Sequence, residues 1–242
     1  MNIQRTAALA KKELYSSIHS PAFYGIGFFF LLSTAIIFFY IQRFFVMNVA
    51  SLRSYFASFP LVYVLVIPVL VMKSWAEERR LGSAELLLTM PFTEWELVAG
   101  KFLSSLALIG LFLVLTIPVP LSLLPLGSFD GGVIFCEYLG AALLGSCAIA
   151  LGHLLSALSK NLSGAFLGTA AVLLAAMTAT QLTQIFELPP ALASLINFFS
   201  LAFHYESFSK GIIDTRDLAF FVLATVIFLQ LNAQVLYARR WR

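Results

Sequence analysis

Three histidines (His19, His153, His204) and two cysteines (Cys136, Cys147) are the chain's whole supply of metal-ligating nitrogen and sulfur. The histidines fall on separate segments, and a lone histidine near a helix end is usually a hydrogen-bonded structural residue. The cysteines sit on or near one apolar stretch, ~16 Å apart along a helix, too far to bridge. Gly100-Lys101 is the nearest approach to a phosphate-cradling Walker loop, but Trp95 stands in place of the first glycine and Phe102 in place of the hydroxyl. That loop needs both, the glycine for backbone approach and the hydroxyl for the metal. A serine nucleophile elbow, an HExxH helix and a CxxC pair are absent as well. Carboxylates do cluster: five of the twelve acidic residues, Glu77, Glu78, Glu85, Glu94 and Glu96, lie between Lys73 and Lys101. No histidine or cysteine accompanies them, and a short exposed helix with leucine and glutamate suits another protein's groove. The expectation is a non-catalytic chain with no cofactor or metal of its own.

The elements that hold these residues are unusually apolar. Of 242 residues, 60% are hydrophobic and 11% charged, against ~45–50% and ~25% in ordinary soluble domains. That composition excludes a soluble enzyme, and abundant apolar residues with sparse charge exclude disorder. A net charge of +3 is too small to imply a nucleic-acid partner. The class is an all-α polytopic membrane protein in contact with lipid.

Uncharged stretches long enough to cross a bilayer, ~20 residues each, run over 22–42, 54–72, 102–129, 138–159, 161–186 and 218–238. A seventh, 188–205, opens on Pro189-Pro190 and carries Asn197, His204 and several serines. Prolines break helical hydrogen bonding, so this stretch reads as part of a re-entrant or interfacial hairpin over 188–216. Six spans put Arg5, Lys11, Lys12, Lys73, Arg79, Arg80, Lys101, Lys160 and the Arg239-Arg240-Trp241-Arg242 tail on the cytoplasmic side. Only Arg43, Arg53, Lys210 and Arg216 then lie outside. The positive-inside rule selects that arrangement, with both termini cytoplasmic. Residues 2–19 carry Ile3, Ala7, Ala10, Leu14 and Ile18 at helical spacing, with Gln4, Arg5, Lys11 and Lys12 off the stripe. This predicts an amphipathic helix on the inner membrane face rather than a signal peptide.

The segment 76–97, between spans two and three, carries the most specific pattern. Gly82 punctuates it, Ser83 to Met90 has the make-up of a short helix exposing Leu86 and Leu87, and Pro91 stops that helix. Thr93 with Glu96 forms a capping box for the next one. Trp75 and Trp95 are placed to anchor at headgroup level. The run Glu77-Glu78-Arg79, Gly82-Ser83, Glu85 and Pro91-Phe92 resembles the signature of ABC-2 type transporter permeases, with Ser83 where threonine is commoner. The later run from Phe203 to Asp217 resembles a pattern of the gliding-motility-associated branch of those permeases.

The resemblance implies a single transmembrane domain over 1–242, acting as the permease subunit of an ATP-driven transporter, an exporter in most such systems, in a bacterial inner membrane. It also implies two copies of a separate ATP-binding subunit, which would hold ATP and Mg, and a second permease copy or paralogue. Carried over by position, Glu77, Glu78, Arg79, Gly82, Ser83, Glu85, Leu86, Leu87 and Pro91 are the ATPase-coupling candidates. Gly164 and Gly168 form a GxxxG pair suited to close helix packing, within the monomer or between copies. Pro118 and Pro120 must loosen span three. Two other classes fit the composition, an ATP-independent channel or secondary carrier and a polytopic membrane enzyme. Spans almost free of ionisable groups weigh against the first, and the missing catalytic set against the second.

Overall fold

The computed structural model describes residues 2–47, 51–82, 92–127, 129–187 and 189–240. Among them every regular element is helical. Asn2 caps α1 (Ile3–Ile18), accepting from the Gln4 amide at 3.1 Å. Pro21, whose fixed φ suits a first helical position, opens α2 (Pro21–Ile36), which ends in a π-helical turn over Ile37–Ile41. Then follow α3 (Arg53–Ala57), α4 (Phe59–Arg80), α5 (Glu94–Thr116) and α6 (Pro118–Leu123). The second half comprises α7 (Gly131–Leu158), α8 (Leu162–Ile185), α9 (Pro190–Phe199), α10 (Leu201–Ser209) and α11 (Thr215–Arg240).

Six helices are long and apolar enough to cross a membrane, beginning at Pro21, Phe59, Glu94, Gly131, Leu162 and Thr215. The chain is therefore an integral multi-pass protein. Spans two and three are longer than the charge-bounded reading, since α4 runs on to Arg80 and α5 starts at Glu94. Helical hydrogen bonding does not stop where hydrocarbon stops, so charged turns extend both helices past the apolar core. Residues 76–80 and 94–97 of the expected 76–97 loop are thereby helix, and 81–93 connect them. Span three breaks at Pro118, which cannot donate to Val114; Ile117 instead bonds Val114 in a tighter turn at 3.1 Å.

Helix α7 lies at the centre and packs on α4, α5, α8, α10 and α11. In lipid no hydrophobic force draws helices together, so close approach at small residues must serve. A Cβ added at Gly140 would meet Phe208 at 2.5 Å, and one at Gly152 would meet Val71 at 2.5 Å. Among the described residues Gly164 meets only the nearby Asn161 and Ser159 side chains, and Gly168 has open space around it, so neither admits another helix of the chain.

The stretch before the last span does not cross. Helix α9 has ten residues, ~15 Å long, half of the ~30 Å hydrocarbon core. Ser200 separates it from α10, bonding Thr180 at 2.8 Å and Ala176 at 3.1 Å. His204 bonds Asp217 of α11 at 2.7 Å through Nδ1, and the Phe198 carbonyl at 3.1 Å through Nε2. Protein partners thus satisfy the polar groups of the hairpin, as membrane depth requires.

Candidate coupling site

Both termini meet at one end of the bundle, where Leu9, Trp75, Leu97, Val98, Ala157 and Leu236 share a buried cluster. At that end α4 leaves the bundle and α5 enters it. Thr93 caps α5 by accepting from the Glu96 amide at 3.3 Å, while Glu96 accepts from the Thr93 amide at 3.1 Å. The predicted capping box is present. The Glu96 carboxylate also accepts from the Asn2 amide, joining the starts of α1 and α5.

That junction changes the reading of α1. The helix packs along α5, with Leu9 over Gly100 so closely that a Cβ there would lie 2.8 Å from it. Thr6 and Leu9 are buried, whereas Ile3, on the expected apolar stripe, is 79% exposed. Tertiary packing takes the Thr6–Leu9 face and leaves the start of the stripe uncovered within the chain.

Lys101 lies one turn further along α5, 3% exposed. Its Nζ donates to Glu78 at 2.6 Å and Glu13 at 3.4 Å and stands 5.0 Å above the Trp75 ring. One buried cation thus ties α1, α4 and α5 together. On the other side of α4, the Trp75 and Ala76 amides lie 3.2 and 3.3 Å from Ser156 Oγ of α7. Arg79 donates to the Ser156 carbonyl, placing its charge at the C-terminus of α7, where the helix dipole is negative. Deeper in the bundle, His153 bridges Ser74 at 2.8 Å and Ser105 at 3.0 Å, a structural crosslink of α7 to α4 and α5.

The sequence-selected coupling residues divide accordingly. Glu78 and Arg79 are the fastened pair. Glu77 lies in the last helical turns of α4, and Gly82 follows at φ +72°, a left-handed conformation that favours glycine. Ser83, Glu85, Leu86, Leu87 and Pro91 lie outside the described residues. Glu13, Lys101 and Ser156 were not singled out as coupling residues from the sequence. A lone lysine seven residues into an apolar helix was the available signal, since such a charge needs a partner.

Among the described residues no group of three or more histidine, cysteine or carboxylate side chains is placed to hold a metal. The arrangement can transmit force: the segment between α4 and α5 is anchored on both flanks to three membrane-spanning helices and α1. In comparison with known proteins, the family profile described as ABC-2 family transporter protein matches residues 42–229, more than three-quarters of the chain. No curated protein matches it.

Proposed function

Because the chain belongs to the ABC-2 transporter family, we propose that it is the membrane permease subunit whose 81–93 connection couples to a separate ATP-binding subunit. Two copies of that ATPase would hold ATP and Mg, and a second permease copy or paralogue would complete the path. Both termini would face the cytoplasm of a bacterial cell, as the basic-residue asymmetry favours. ATP-driven closure would displace the paired connections, and the spans would rearrange between states by rigid-body motion. The observation carrying this reading is the Lys101–Glu78–Glu13 cluster with the Arg79–Ser156 clamp. Through them a displacement of the connection reaches α1, α4, α5 and α7 together. The Phe203–Asp217 run supports kinship with the gliding-motility branch.

Glu85→Arg combined with Leu86→Asp tests the proposal. Losing an interface anchor commonly costs ~1–3 kcal/mol, so ATPase co-purification or transport should fall at equal membrane abundance. A charge reversal at Lys160, in the other short connection on that side, should do less. Wild-type co-purification and transport in the double variant would remove the coupling assignment.

A further inference from the structure

A cavity of about 380 Å³ opens at the end of the bundle that carries both termini. Helices α1, α2, α4 and α5 wall it, and His153 of α7 closes its depth. Its lining is divided by chemistry. Ser16, Ser17 and Ser20 stand with three lysines and three glutamates near the helix ends, while Ser74, Ser104 and Ser105 lie deeper beside His153. Phe23, Ile26, Val69, Leu70 and Leu108 line the part toward the bundle interior. Charged groups at the helix ends beside an apolar wall suit an amphiphile from the adjacent leaflet.

The charges select its headgroup. Lys101 is already held by Glu13 and Glu78. Lys12 acts on Glu78 without reaching ion-pair distance, Lys73 has no ion pair among the described residues, and Glu77 lies one helical turn beyond Lys73 on the same face of α4. The lining offers as many carboxylates as ammonium groups, so a purely anionic headgroup gains no net field. A headgroup carrying both a phosphate and an ammonium meets both signs.

We propose that this cavity binds a zwitterionic phospholipid of the phosphatidylethanolamine type. Lys12, Lys73 and the serine hydroxyls receive its phosphate, Glu77 receives its ammonium, and an acyl chain lies against the Phe23–Leu108 wall. The proposal goes beyond the permease reading and needs no ATPase, so either can fail alone.

The test is native mass spectrometry of the full chain after incubation with vesicles of phosphatidylethanolamine, phosphatidylglycerol or diacylglycerol of matched acyl chains. The wild type should retain phosphatidylethanolamine above the other two. Lys12→Glu with Lys73→Glu should lower that retention about tenfold or more, because the phosphate then meets like charges in place of ammonium groups. Lys11→Glu, outside the cavity, should not change it. Glu77→Lys should move the preference toward phosphatidylglycerol, a gain that misfolding cannot imitate. Equal retention of all three lipids, or an unchanged preference in Glu77→Lys, would overturn the proposal. Displacement of the lipid by millimolar inorganic phosphate would assign the site to a soluble phosphate instead and equally overturn it.

Discussion

Replacing Lys101 by methionine keeps the length of the side chain and removes its charge. In the wild type that charge is 4% exposed at the side chain and faces Glu78 and Glu13, themselves 16% and 24% exposed. Breaking a buried ion pair from one side costs ~3–5 kcal/mol, because the remaining charge is left uncompensated. The residual exposure of Glu13 lets water share the burden, which places the expected loss near ~3 kcal/mol. The contact with Trp75 involves a desolvated cation and is worth ~2 kcal/mol more, so the ion-pair loss alone sets the floor. At ~2–4 °C per kcal/mol for a chain of this size, the apparent melting temperature should fall by ~6–12 °C or more. Intrinsic fluorescence of detergent-purified protein reads the transition, and Trp75 lies beside the perturbation. Glu78→Gln added to Lys101→Met should recover part of the loss, since removing both charges of a buried pair is often close to neutral. A single variant melting within ~2 °C of wild type would refute the argument. So would a double variant less stable than the single one by as much again, because Lys101 would then not be the main partner of Glu78, on which Lys12 also acts.

Three further outcomes are expected. Single cysteines at Ser83, Lys160 and the C-terminal tail, in a chain lacking Cys136 and Cys147, should resist an impermeant external thiol reagent, while those at Ser51, Ser128 and Lys210 react; a tail labelled from outside would overturn the proposed orientation. Gly152→Leu should destabilise by ~1–3 kcal/mol through collision with Val71, whereas Gly168→Leu should change monomer stability by under ~0.5 kcal/mol, and lower the yield of crosslinked dimer if its face seats a second copy. Glu137→Leu should raise the apparent melting temperature, because the native carboxyl is fully buried with neither oxygen hydrogen-bonded, and an unsatisfied buried polar group costs ~1–3 kcal/mol; a fall in melting temperature would show that the carboxyl has a stabilising partner.

Composition alone placed the chain in a bilayer, and uninterrupted apolar runs counted its crossings, because hydrocarbon admits few other solutions. Local rules were equally legible. Thr93 and Glu96 cap a helix from three residues apart, and Pro189-Pro190 opens one, since neither effect needs a distant partner; the break at Ser200 that keeps α9 short rests on its bonds to α8. The end of α4 was placed too early because a charge marks the edge of hydrocarbon and not the end of hydrogen bonding, whereas the start of α5 at the Thr93 cap was legible. The face that α1 buries was decided by Gly100, which admits Leu9 and which no period within residues 2–19 could announce. Lys101 meets Glu78 and Glu13 across 23 and 88 residues of chain. The sequence shows three charges on three separate segments. Only the packing of α1, α4 and α5 brings them within ion-pair distance, where a buried charge must find its partner.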